Sequence, residues 1–144
     1  MPRNIIIPRT VLNAVEEHAE DMYPEECCGF IFGKSRIESI VVDEVHRVQN
    51  HRDENRTRRF LITPEQFMRA EEFADSEEKK LLGVYHSHPD HPATPSRYDL
   101  DHALPDFVYL ITSVEKGKAK ICRWWELTSD RCFFSETEVA IVTT

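Results

Sequence analysis

Two hydrophobic periods alternate along this chain, and their order leaves few architectures open. Leu12, Val15, Ala19 and Met22 recur at spacings of three and four with Glu16, Glu17, Glu20 and Asp21 between them, which predicts an amphipathic helix ending before Pro24. The period then changes. "CGFIFG", from Cys28, is a continuous apolar run bounded by glycines and reads as a buried strand, and "IESIVVDEVHRV" follows as a long, partly alternating one. Thr63, Pro64 and Gln66 set up a second helix, as cap, first helical residue and capping-box partner, running to about Lys80. "LLGVYHSH" is a strand leaving that helix, and "FVYLITS", "AKICRWWEL" and "CFFSETEVAIV" read as three more. Near the start, "NIII" reads as a short edge strand closed by Pro8. Helices interleaved with strands and followed by a meander predict an α/β fold, a mixed β-sheet flanked by helices. At 144 residues, one domain spanning 1–144 is expected.

Composition narrows the function classes. With 18 basic against 26 acidic side chains the net charge is −8, which argues against a domain that binds nucleic acid by neutralising phosphates. Arg52, Arg56, Arg58 and Arg59 form a local basic stretch, read first as a solvated loop and otherwise as a contact for an acidic partner. No apolar run approaches a membrane span, and "MPRNIIIPRTV" carries no secretory signal, so a cytoplasmic protein is expected. In that setting Cys27, Cys28, Cys122 and Cys132 are expected to be reduced, with Cys28 a small buried apolar residue. In a regular strand Trp124 and Trp125 point to opposite faces, one to the core and the other exposed or covered by a helix.

The stretch "YHSHPDHPATPSRYDL" (residues 85–100) stands apart from this core-building pattern. His86 and His88 lie two apart on a strand and therefore project from one face, where two imidazoles reach a common ion. Pro89 stops the strand, and Pro92 and Pro95 stiffen the loop that delivers Asp99 on a short helix. Two histidines and one carboxylate, with water in the fourth place, form a catalytic zinc set. Ser96 followed three residues later by Asp99 is equally a capping-box-like helix start that needs no metal, and the spacing alone does not choose between the two. A hydrolytic zinc also needs a proton acceptor that does not bind it. The HxE with PCxxC of the zinc deaminases is absent, as is HExxH, so that group must come from elsewhere in the chain.

"HSHPDHPATPSRYD" fits HxHPx6SxxD without a gap, and "YPEECCGFIFG" fits an upstream PxExCG element followed by a hydrophobic residue and a closing glycine. Together they resemble the JAMM (JAB/MPN) metalloproteases, over most of the chain from the first helix to "FVYLITS". The resemblance implies the JAMM/MPN fold, with layers like those of cytidine deaminase. It also implies one zinc ion per chain, held by His86, His88 and Asp99, with Glu26 as general base and Ser96 steadying the tetrahedral intermediate. Glu25 stands next to Glu26, but the motif register selects Glu26, and strand alternation sends the two to opposite faces. His91 belongs to no motif position and reads as a loop histidine. The implied reaction is hydrolysis of a peptide or isopeptide bond after the C-terminal Gly-Gly tail of a ubiquitin-like or sulfur-carrier protein. The compact length resembles the small stand-alone prokaryotic members. Two other functions fit less well: a catalytically silent MPN-type interaction scaffold, which usually lacks one of these residues, and a different metal-dependent hydrolase acting on a phosphoester.

Overall fold

The computed structural model describes residues 3–49, 62–127, 130 and 133–143; the arginine-rich stretch 52–59 and Cys132 lie outside them. Among the described residues the elements run β1 (Asn4–Pro8), α1 (Arg9–Met22), β2 (Cys28–Ser35), β3 (Ser39–Val48), α2 (Pro64–Ser76), β4 (Lys80–Pro89) and α3 (Arg97–Asp101). The chain then continues through β5 (Val108–Glu115), β6 (Lys118–Leu127), β7 (Phe134–Thr137) and β8 (Val139–Val142). The strands form one mixed sheet in the order β7-β6-β5-β4-β2-β3-β1-β8. β7 and β8 stand at its two ends yet only Glu138 separates them in the chain. The sheet therefore curls until its ends approach one another.

α1 fills the inside of that curl. Its Leu12, Val15 and Ala19 pack with Ile5, Ile7, Ile31, Leu110 and Trp124 into one buried cluster, as the spacing of its apolar residues requires. The opposite face buries Cys28, Phe30, Phe32, Val84 and Tyr109 against Ala70 and Ala74 of α2. Trp124 joins the α1 side and is 2% exposed, while Trp125 packs on the other face beside Phe134. Strand alternation thus sends the adjacent tryptophans to two different cores.

Three sequence expectations are corrected. β1 is not an edge strand, because β8 adds to its outer side in parallel, with the Ile5 amide donating to the Glu138 carbonyl at 3.0 Å. The final apolar run is two strands rather than one, because the chain crosses at Glu138 from pairing with β6 to pairing with β1. α2 starts on the expected capping box of Thr63 and Gln66 but stops at Ser76, not near Lys80. Glu78 turns left-handed (φ 55°) and the Lys79 amide returns to the Ala74 carbonyl at 2.8 Å. That reversal brings Leu81 and Leu82 into the sheet, where each is 3% exposed. No helix among the described residues is long and apolar enough to cross a membrane.

Candidate metal centre

β4 lies inside the sheet, antiparallel to β2 and parallel to β5, so its backbone is held on both sides. Val84, His86 and His88 face the α2 side, and Tyr85 and Ser87 face α1. His86 is 1% and His88 9% exposed. After Pro89 the chain turns through Asp90, whose φ is 56°. The loop is then fastened at two points: Trp125 Nε1 donates to the Ala93 carbonyl at 3.1 Å, and His88 Nδ1 meets the Pro92 carbonyl at 2.8 Å.

Ser96 begins α3. Its Oγ accepts the Asp99 amide at 3.1 Å, and its own amide donates to Asp99 Oδ2 at 2.8 Å. This is the capping box that competed with the metal set in the sequence. The two arrangements coexist, because the same Asp99 carboxylate that closes the box also turns toward the histidines. Oδ1 lies 3.2 Å from His86 Nε2 and Oδ2 lies 3.2 Å from His88 Nε2, while the two Nε2 atoms are 3.2 Å apart. One ligand atom from each of the three residues falls within 4.8 Å of the others.

The chemistry of this donor set fits a divalent cation. A carbonyl only accepts, so His88 carries its proton on Nδ1, and its neutral form points the Nε2 lone pair into the cluster. Burial lowers the pKa of His86, favouring its neutral form against the pull of Asp99. Burial alone would raise that of Asp99. His86, His88 and the Ser96 amide overcome this and hold the carboxyl well below the usual carboxylate range. Two imidazole nitrogens and a carboxylate therefore converge, a donor set that a shared cation satisfies.

Glu26 is 2% exposed, two residues before Cys28, which pairs with His86 across β2 and β4. Continued two residues further, that antiparallel register runs from Glu26 to His88. Glu26, His88, His91 and Ser96 line one cleft together with Pro92 and Pro95. Glu25 is half-buried and outside this lining. Cys28 is fully buried and burial pushes its thiol far up, which disfavours the thiolate a metal would need.

Two features escaped the sequence. Tyr98, His102, Phe67 and Tyr109 line an aromatic pocket on the other side of His86 and Asp99, assembled from α2, α3 and β5 with no local pattern to signal it. Tyr85 lies fully buried under α1 with its hydroxyl 2.7 Å from His18 Nδ1. Its ring covers Gly29, where any Cβ would collide with it, and this explains the glycine of "ECCG".

The model of the family described as prokaryotic homologs of the JAB domain matches residues 8–127. A desampylase of Haloferax volcanii is 32% identical over 133 residues, covering 92% of this chain and 89% of its own. A probable TtuB-protein conjugate cleaving protease of Thermus thermophilus is 27% identical over 116 residues, covering 80% and 74%. Among solved structures, a Salinibacter ruber protein superposes with a TM-score of 0.74 at 37% identity, covering 94% of this chain and 90% of its own.

Proposed function

The chain belongs to the prokaryotic JAB family, and from that premise we propose that it is a zinc-dependent peptidase of the JAMM type. Its substrate is a conjugate of a ubiquitin-like or sulfur-carrier protein, cut after a C-terminal Gly-Gly tail. The observation that carries this reading is the meeting of His86, His88 and Asp99 in one cluster whose His88 shares a cleft with Glu26 and Ser96. The names of two relatives, a desampylase and a TtuB-protein conjugate cleaving protease, support the substrate class.

His86, His88 and Asp99 would hold the ion, which supplies a Lewis acid for the scissile carbonyl and an acidified water. Glu26 takes the proton of the attacking water on its carboxylate and returns it to the departing nitrogen, because an amine leaves only when protonated. Ser96 Oγ spends a lone pair on the Asp99 amide and keeps its O–H for the oxyanion that develops at the carbonyl. The Pro92 carbonyl fixes the tautomer and orientation of His88. An amide-linked conjugate of a sulfur-carrier protein, incubated with zinc-loaded protein and read by mass spectrometry, should yield the carrier ending in Gly-Gly and a free amine. Products cut elsewhere in the carrier, or none, would refute the proposal.

A further inference from the structure

The residue between the two histidines has its own task. Ser87 points away from the cluster and is fully buried beneath α1. Its amide donates to the Cys27 carbonyl at 3.1 Å, and its Oγ accepts the Cys27 amide at 2.8 Å. In a regular antiparallel ladder two facing residues exchange bonds through both backbone carbonyls. Here one of those carbonyls is replaced by a side-chain hydroxyl. The exchange lies one residue beyond the last regular pair, Cys28 with His86, where the chain preceding β2 leaves the sheet. Cys27 is thus gripped on both backbone polar groups by a single serine, and Cys27 follows Glu26 directly.

The geometry points to Ser87 as a positioning residue that sets Glu26 against the metal-binding face of β4. The inference rests on the reading of Glu26 as the proton acceptor. The histidines and the clamp occupy three consecutive residues of one strand, so the carboxylate is referenced to the metal ligands themselves rather than to a separate loop. Without the hydroxyl, a buried amide at Cys27 loses its acceptor and the segment carrying Glu26 must shift to find another. A displacement of about 1 Å in a catalytic group costs up to about 10²-fold in rate. The ligand faces of His86 and His88 point the other way and keep their places.

Ser87→Ala should lower kcat about 10- to 100-fold, with KM and zinc affinity, measured against a competing chelator, within about twofold of the parent. Hydrogen exchange gives a readout independent of turnover: the Cys27 amide should lose at least about tenfold of its protection while Phe30 and Ile31 keep theirs. On the Glu26→Gln background, Ser87→Ala should change the residual rate little, because the group it positions is already gone. Should Ser87→Ala not fold, Ser87→Cys, close in size but a weak acceptor, serves the same comparisons with the same expectation. Parental kcat, a tenfold loss of zinc affinity, or a full multiplicative effect on the Glu26→Gln background would each overturn the assignment. An unimpaired Glu26→Gln single variant would instead remove Glu26 from the mechanism, while the exchange measurement still reports on the clamp.

Discussion

Ser96 carries two duties that a substitution can separate. In the structure its oxygen accepts one bond, from the Asp99 amide, and its backbone amide supplies the reciprocal bond to Asp99 Oδ2. Ser96→Ala removes only the first, since the second is a main-chain donor. A cap deletion costs about 0.5 to 2 kcal/mol, and with half the box intact on a five-residue helix that has no fully buried residue the loss belongs near the lower end. A domain stable by about 5 to 15 kcal/mol stays folded after such a loss. Removing an oxyanion donor costs about 10²- to 10³-fold in kcat, or roughly 2.7 to 4 kcal/mol of barrier. The effect on rate thus exceeds the effect on stability severalfold. Ser96→Asp sharpens the contrast, because aspartate is a good cap acceptor but brings no donor and adds charge where the intermediate is negative. Urea denaturation and single-turnover rates on the same zinc-loaded samples give both quantities. A stable Ser96→Asp variant with parental turnover would leave Ser96 a capping residue only and refute its place in the mechanism.

Glu26→Gln should keep zinc at one equivalent and lose about 10²- to 10⁴-fold in turnover, since the amide matches the shape but takes no proton; loss of zinc in this variant would make Glu26 a ligand or a structural support instead. His18 sets an acid limit on stability. It is 4% exposed, and burial lowers its pKa to about 4 from an ordinary value near 6.5. The unfolded chain therefore takes up a proton below about pH 6.5 that the folded one refuses until about pH 4. Stability is full above the unfolded value and falls as pH drops through that window, by about 2 kcal/mol between pH 8 and pH 5. Urea midpoints of the parent and of His18→Gln across this range check it: the slope attributable to His18 should vanish in the variant.

Much of this molecule is legible one segment at a time. α1 announces itself by the three-and-four spacing of Leu12, Val15 and Ala19, and all three are buried in the structure. Thr63 and Gln66 form the box that their spacing predicts. The meeting of His86, His88 and Asp99 is also local in origin, because a strand places the histidines on one face and a proline-stiffened loop of ten residues limits where Asp99 can go. What stays hidden is long-range. The placement of β1 inside the sheet depends on Val139 to Val142 pairing with Ile5 to Pro8 from the far end of the chain, and no period in "NIII" encodes that partner. Gly29 reads as a strand boundary until the Tyr85 ring is seen lying over it. The pair of hydrogen bonds between Ser87 and Cys27 depends on the register of two segments sixty residues apart in the chain.

X-ray absorption at the zinc edge, on protein loaded with one equivalent of the metal, tests the ligand set most directly. Nitrogen and oxygen scatterers at about 2.0 to 2.2 Å, with imidazole multiple scattering from two histidines, are expected, and the signal should change in His88→Ala. A sulfur shell near about 2.3 Å, or a spectrum unaltered by His88→Ala, would place the metal elsewhere and contradict the assignment of His86, His88 and Asp99 as its ligands.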